Sequence, residues 1–125
     1  NDAVATEEIR FGDNDSLASQ VALMMGAEKL ILLTDVDGLF DSDPKQNPRA
    51  SLVSYLPKIR AQELRLANKK TTSKYGTGGM RSKLLAAERA CRGGIITHLL
   101  RGDWPHGLLE ITSKKPPGTQ IGGSP

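Results

Sequence analysis

Residues 29–35, Lys29-Leu30-Ile31-Leu32-Leu33-Thr34-Asp35, form a short apolar run that breaks abruptly into polar side chains. A continuous apolar run of this length is typical of a strand that is buried on both faces of a parallel sheet. We therefore predict a strand from Leu30 to Leu33. Because ligands of open α/β sheets collect at the carboxyl ends of such strands, we expect a site where this strand ends.

Helical and strand patterns alternate on both sides of this strand. The predicted helices are Asp15 to Met25, Ile59 to Ala67 and Met80 to Arg92. Further strands are predicted from Ile95 to Leu100 and, after a short apolar element at Gly107 to Ile111, as a final edge strand at Gly118 to Ile121. The alternation predicts an α/β unit around a mostly parallel sheet.

Apolar residues recur at helical spacing in the first and third predicted helices. In the first they are Leu17, Val21, Met24 and Met25, and in the third we place Leu84, Leu85, Ala87 and Cys91 on the inner side. Cys91 is the single cysteine, which excludes an internal disulfide framework and fits a reducing compartment. We interpret it as a small buried helix residue.

The composition is that of one ordinary globular domain, with 125 residues, 38% hydrophobic and 25% charged. A net charge of +3 permits contact with anions, but only 4% of residues are aromatic and Lys and Arg are spread along the chain, which disfavours a nucleic-acid surface. No apolar stretch approaches the roughly 20 residues of a membrane span. The chain opens at Asn1-Asp2-Ala3-Val4 without Met or a secretory signal, so we expect a cut or processed start.

A glycine-rich entry to the third helix ends in a lysine: Gly76-Thr77-Gly78-Gly79-Met80-Arg81-Ser82-Lys83. Glycines let backbone N–H groups approach phosphate oxygens, and the helix points its positive end at them. Lys83 can reach a charge at that end. The pattern indicates phosphate chemistry, although such a turn is more often an ordinary loop.

An acidic turn, Phe11-Gly12-Asp13-Asn14-Asp15-Ser16-Leu17, opens the first helix. Its carboxylates could hold an ammonium group, orient a lysine or meet a magnesium ion through water. Taken alone, an Asp-Asn-Asp run before an apolar pattern is most often a helix N-cap. The two motifs together favour a site that handles phosphate.

These motifs carry a family resemblance. In order, the chain contains the segments Asn1 to Ala5, Phe11 to Leu17, Leu32 to Leu39, Asp43-Pro44, and Gly76 to Met80 with Lys83. Together they resemble glutamate 5-kinase of the amino acid kinase superfamily over nearly the whole chain. The Gly-Asp-Asn-Asp turn and the Gly-Thr-Gly-Gly-Met turn separate this kinase from acetylglutamate kinase, uridylate kinase and aspartokinase.

The resemblance implies ATP- and Mg²⁺-dependent phosphorylation of the γ-carboxylate of L-glutamate to L-glutamyl 5-phosphate, the first step of proline biosynthesis in the cytoplasm. It implies a three-layer α/β/α sandwich around a mostly parallel sheet, in a homodimer or homotetramer. Residues 1–125 correspond to the carboxyl-terminal, ATP-binding part of one kinase domain, without its amino-terminal half and without the PUA domain of many bacterial members. We expect this part alone to be inactive.

The resemblance also implies a role for individual residues. Asp2 and Asn14 match positions that hold glutamate, and Lys83 and Asp15 match a lysine that stabilises the transferring phosphoryl group and an aspartate that organises the catalytic lysines. The positions that match nucleotide-binding residues are Thr34, Asp35, Thr77, Gly78, Gly79, Met80, Arg81, Ser82 and Lys83. No residue is assigned as a metal ligand. Without the resemblance, Asp2 would be interpreted as a solvated terminal residue.

Other functions remain open. The chain could be another phosphotransferase of the same family, such as one like acetylglutamate kinase, or a non-catalytic nucleotide-binding module. The turn at Leu100 to Trp104 departs from the family, which has small residues there. A nucleic-acid-binding fragment would use the basic residues Lys58, Arg60, Arg65, Lys69, Lys70 and Lys74, which we interpret instead as a solvated face.

Overall fold

The computed structural model describes residues 13–68, 79–104 and 106–125. Helices and strands alternate along these ranges. The helices are α1 (Asp13–Met25), α2 (Ala61–Asn68), α3 (Gly79–Arg92) and α4 (Gly107–Glu110). The strands are β1 (Lys29–Thr34), β2 (Tyr55–Leu56), β3 (Ile96–Arg101) and β4 (Thr119–Ile121).

The four strands form one mixed sheet in the order β1-β3-β4-β2. β1 and β3 run parallel, in register from Lys29 opposite Ile96 to Thr34 opposite Arg101. β2 and β4 are also parallel, whereas β3 and β4 are antiparallel. Two of the three pairings are therefore parallel, and the carboxyl ends of β1 and β3 lie at the same edge of the sheet.

One face of the sheet packs against the helices. Successive side chains of a strand point to opposite faces, and the alternate residues Leu30, Leu32 and Leu99 join the core with alanines of α3. On the opposite face, Gly107 at the start of α4 lies so close to Leu100 that a Cβ there would be 3.2 Å from its Cδ2 atom. Among the described residues, one face thus carries α1 and α3, with α2 packed against α3, and the other face carries α4.

The elements predicted around the apolar run are confirmed. α1, β1, α3 and β3 begin and end within two residues of the predicted bounds. Gly26 follows α1 with a φ of +65°, and Gly94 follows α3 with a φ of +82°. Both angles lie in the left-handed region that glycine tolerates, which explains why the two helices end there.

The prediction of a final edge strand is wrong. β4 lies inside the sheet, because β2 pairs with its outer side. β2 was not predicted, since two residues give no detectable period. Ile121 is fully buried, as its interior position requires.

The predicted inner face of α3 is wrong at two positions. Leu85 is 41% exposed, and Cys91 is half-buried rather than buried. The helix instead buries Leu84 and the small residues Ala86, Ala87 and Ala90. Alanines let the helix approach its neighbours closely, so the buried face is centred on them.

The helical spacing of apolar residues in α1 also does not mark a buried face. Leu17, Val21, Met24 and Met25 are all exposed. α1 instead buries Ser19 and Ala22. The helix therefore packs through small residues and leaves its larger apolar side chains uncovered.

In the three described ranges, none of the helices combines the length and the apolar character needed to cross a membrane.

Candidate active site

The amino-terminal ends of α1 and α3 come together at the edge of the sheet where β1 and β3 end. Three contacts in the same order along both helices show that they run parallel: Asp15 meets Lys83, Ser19 meets Arg89, and Leu23 lies against Gly93. β1 follows α1 and β3 follows α3, so the beginnings of both helices lie beside the carboxyl ends of these strands. The positive ends of two helices therefore lie close together, which favours an anion here.

Lys83 and Asp15 form an ion pair between the two helix starts. Lys83 Nζ lies 3.1 Å from Asp15 Oδ2 and 3.4 Å from Oδ1. Only 18% of the Lys83 side chain and 15% of the Asp15 side chain are exposed. Ser82 Oγ donates a second hydrogen bond to Asp15 Oδ2 at 3.1 Å. The carboxylate thus holds the lysine in one position rather than acting as an N-cap.

This geometry can neutralise an incoming phosphoryl group. An ammonium group has three N–H donors, so Lys83 can keep its contact with Asp15 and still donate to a phosphoryl oxygen. Because the pair is mostly shielded from water, its field is stronger than that of an exposed lysine.

Arg89 fixes α1 against α3 one and a half turns further along, a role that the sequence did not reveal. Its Nη1 atom donates to Ser16 Oγ at 2.8 Å and to Ser19 Oγ at 3.2 Å. Ser19 Oγ donates in turn to the carbonyl of Ser16. No motif signals this contact, because it joins residues about 70 positions apart.

Thr34 and Asp35 lie where β1 ends, at the same edge as the Lys83–Asp15 pair. Thr34 Oγ1 donates to Asp35 Oδ1 at 3.4 Å, and Asp35 is exposed. Within the part of the chain that the structure describes, no hydrogen bond joins either residue to Lys83. They border the same space without being part of the ion pair.

The other predicted site residues occupy different environments. Gly79 begins α3, Met80 packs partly buried against the core, and Arg81 is half-buried. Asn14 is exposed in the first turn of α1. Asp2, Thr77 and Gly78 lie outside the described residues.

A second charged cluster at this edge was not predicted as part of the site. Arg101, the last residue of β3, pairs with Asp37 at 3.0 Å and with Asp103 at 2.7 Å. Hydrogen bonds to Asp103 and Asp37 raise the pKa of Arg101 above its ordinary value. The Gly102 N–H donates to the Thr34 carbonyl at 2.9 Å, which joins the two chain segments beyond the strands.

The chain is similar in sequence to known kinases. A model of the amino acid kinase family matches residues 1–101. Glutamate 5-kinase from Meiothermus ruber is 44% identical over 123 residues, which cover 98% of this chain and 32% of that protein. Glutamate 5-kinase from Thermus thermophilus is 50% identical over 119 residues, which cover 95% of this chain and 31% of that protein. The chain spans about a third of the length of these curated relatives.

A solved structure shares the fold. Isopentenyl phosphate kinase from T. acidophilum superposes with a TM-score of 0.63, covering 86% of this chain and 38% of that one at 23% identity. At this identity the likeness concerns the fold alone. This similarity agrees with the mixed sheet and flanking helices described above.

Proposed function

Because the chain belongs to the amino acid kinase family, we propose that it supplies the nucleotide-binding and phosphoryl-transfer part of a glutamate 5-kinase. The sequence relatives named glutamate 5-kinase support the substrate. The observation that carries the chemistry is the shielded Lys83–Asp15 pair at the joint start of α1 and α3. A positive group fixed at two helix N-termini suits transfer of a phosphoryl group.

The reaction moves the γ-phosphoryl group of ATP to the γ-carboxylate of L-glutamate. A carboxylate oxygen forms a bond to the γ-phosphorus, the bond from that phosphorus to the β,γ-bridging oxygen breaks, and ADP leaves with the electron pair. The carboxylate is already ionised, so the reaction needs no general base. The negative charge of the carboxylate is, however, repelled by the triphosphate. Catalysis therefore consists mainly of positioning the two substrates and neutralising their charge.

Each site residue then has a defined task. Lys83 donates to the transferring phosphoryl group, and Asp15 keeps its ammonium in place. Asp2 and Asn14 hold glutamate, through the ammonium and a carboxylate of the substrate respectively. Thr34, Asp35 and the segment from Thr77 to Lys83 hold the nucleotide.

We propose that Mg²⁺ takes part in the reaction together with ATP. No cluster of three or more His, Cys, Asp or Glu side chains suited to a metal is found in the described ranges, and Asp15 is engaged by Lys83 and Ser82. Mg²⁺ is commonly bound through one or two carboxylates and the substrate phosphates. We propose that it enters on ATP, where it would neutralise phosphate charge.

The proposal also covers the location of the protein in the cell and its oligomeric state. By its resemblance to glutamate 5-kinase, we place the complete protein in the cytoplasm as a homodimer or homotetramer. Its partners are then the two substrates and other copies of the same chain.

The acceptor and the catalytic role can be tested together. The chain is joined to the preceding part of a complete glutamate 5-kinase, and ADP release is measured with L-glutamate, N-acetyl-L-glutamate or no acceptor. We expect release that depends on L-glutamate. Release with N-acetyl-L-glutamate alone would favour the acetylglutamate kinase alternative. Binding of an ATP analogue without any acceptor-dependent release would favour a non-catalytic module.

A further inference from the structure

Arg101 joins the segment that follows β1 to the segment that follows β3. Its Nη1 atom lies 3.0 Å from Asp37 Oδ1, and its Nε atom lies 2.7 Å from Asp103 Oδ1. The Arg101 and Asp37 side chains are 38% and 42% exposed, so the pair is only partly open to solvent. Because guanidinium donors have a fixed planar arrangement, an Arg that meets two carboxylates is held in one orientation.

The turn after β1 is fastened a second time, two residues beyond Asp37. The Leu39 N–H donates to Thr119 Oγ1 at 3.0 Å, and that hydroxyl donates to the Val53 carbonyl at 2.6 Å. Leu39 itself is 2% exposed. This second contact anchors the Leu39 end of the turn to β4. The other half of the turn, next to β1, is held by Arg101 through Asp37.

Thr34 ends β1, and Asp35 follows it, ahead of both contacts. Thr34 is opposite Arg101 in the strand register, and its carbonyl accepts the Gly102 N–H. Asp35 is exposed and separated from Asp37 by one residue. A shift of Asp37 would therefore change where the Asp35 side chain lies.

We propose that Arg101 is a positioning residue of the nucleotide site, which holds Asp37 and thereby fixes the turn that presents Thr34 and Asp35 to the nucleotide. The inference rests on the proposed nucleotide-binding role of those two residues. In this proposal Arg101 acts through Asp37 and not by direct contact with a substrate.

The test uses the complete kinase domain that contains this chain. Arg101→Met keeps the apolar stem and removes the charge. We expect the KM for ATP and the Kd of a fluorescent ATP analogue to rise about two- to fivefold, the range of a partly exposed ion pair. The KM for glutamate and kcat should stay within about twofold. Asp37→Asn should give a similar change in the KM for ATP, and the double variant should be no worse than Arg101→Met alone, because both single variants remove the Arg101–Asp37 contact.

Arg92→Met is the matched control. Arg92 also pairs with a carboxylate, Glu88, but lies at the carboxyl-terminal end of α3, whereas the site lies at the amino-terminal end of that helix. It should leave nucleotide affinity unchanged. Amide hydrogen exchange provides a second measurement, and we expect faster exchange at residues 35–38 in Arg101→Met but not in Arg92→Met.

The outcomes separate the inference from the proposed function. Unchanged nucleotide affinity in Arg101→Met, with a normally binding parent protein, would refute the positioning role. Equal rises for ATP and glutamate would also refute it, since they indicate a general loss of structure. A parent protein that binds no nucleotide would refute the proposed function. In that case, unchanged amide exchange at residues 35–38 in Arg101→Met would also refute the claim that Arg101 fixes this turn. Faster exchange in that variant would support the claim.

Discussion

At the scale of single residues, the proposed chemistry depends on how Lys83 is held. Its ammonium group is mostly shielded and faces a carboxylate that also accepts from Ser82. A lysine fixed in this way costs little reorganisation when negative charge develops nearby. Its contribution should therefore appear in the transition state rather than in the binding of substrates.

Replacing Lys83 with Ala in the complete kinase domain should lower kcat by about 10²–10³, the usual loss for one such electrostatic contact. The KM for glutamate should change little, because the ammonium acts on charge between ATP and the acceptor. Steady-state ADP release measures both quantities. Lys115→Ala, at an exposed position in a turn, is the matched control and should behave as wild type. A Lys83→Ala variant with near-normal turnover would make Lys83 a structural lysine.

His98 is a buried histidine outside the site. It lies in the middle of β3, between Ile31 and Gln120 in the strand register, and is 1% exposed. Neither ring nitrogen has a hydrogen-bond partner among the described residues. Burial, and then the charge of Lys29, lower the pKa of His98 below its ordinary value of 6.5. The folded state thus favours the neutral ring.

The stability of the fold should consequently fall as the solution becomes acidic. Because the folded pKa of His98 is lowered, the unfolded chain binds more protons below about pH 6.5. The stabilisation is complete above that pH and is lost as the pH falls through 6.5 towards the folded pKa. Urea unfolding between pH 7.5 and 5.5 should show a steeper loss of stability for wild type than for His98→Leu. Parallel curves for the two proteins would contradict this.

At the scale of elements, the pairing of β3 with β4 depends on Gly118. This residue precedes β4 with a φ of +76°, and a Cβ there would collide with the Leu99 carbonyl. The carbonyl belongs to the backbone of the neighbouring strand, so it cannot move aside without disturbing the sheet. Gly26 has a similar φ of +65° but open space around it.

The two glycines therefore form a matched pair. Gly26→Ala should cost about 1 kcal/mol of unfolding free energy, the penalty for left-handed backbone alone. Gly118→Ala should cost about 3 kcal/mol or more, because the same penalty is combined with a clash in the sheet. Chemical denaturation of both variants measures the difference. Equal losses would mean that β4 does not approach β3 as closely as described.

The elements also show what a sequence can predict. α1, β1, α3 and β3 were predicted from local patterns, since their periods and terminal glycines are properties of neighbouring residues. β2 and the interior place of β4 were not, because pairing between residues 65 positions apart leaves no local signal. The exposure of Leu85 has a similar cause: the neighbouring helices decide which face of α3 is buried.

In the candidate site, too, residues within local motifs were predicted and residues that depend on distant contacts were not. Sequence motifs singled out Asp15 and Lys83, and the structure brings them into contact. The roles of the site residues stay predictions. Arg89 and Arg101 were not found, because each acts through distant partners that only the folded chain brings close.

At the scale of the whole molecule, the described surface includes apolar areas that a folded protein usually covers. Leu17, Val21, Met24 and Met25 are exposed on α1. β1 is at one end of the sheet, so among the described residues its outer side has no partner strand, and Leu33 is 51% exposed. An exposed apolar face and an open strand edge are typical of surfaces that bind other protein.

We propose that this chain carries one part of a kinase site and needs a further part to act. Phosphoryl transfer to a carboxylate requires positive charge around the transferring group, and the family resemblance assigns part of that charge to a strand turn outside this chain. The described residues at the two helix starts supply Lys83 as the ammonium group next to Asp15. We expect that this is insufficient for turnover.

The most direct test is glutamate-dependent ADP production by the purified chain, measured alone and after fusion to the preceding part of a complete glutamate 5-kinase. We expect no glutamate-dependent production by the chain alone, even where it binds an ATP analogue, and clear production by the fusion. Production by the chain alone that Lys83→Ala abolishes would contradict this expectation and show that these 125 residues are catalytically sufficient.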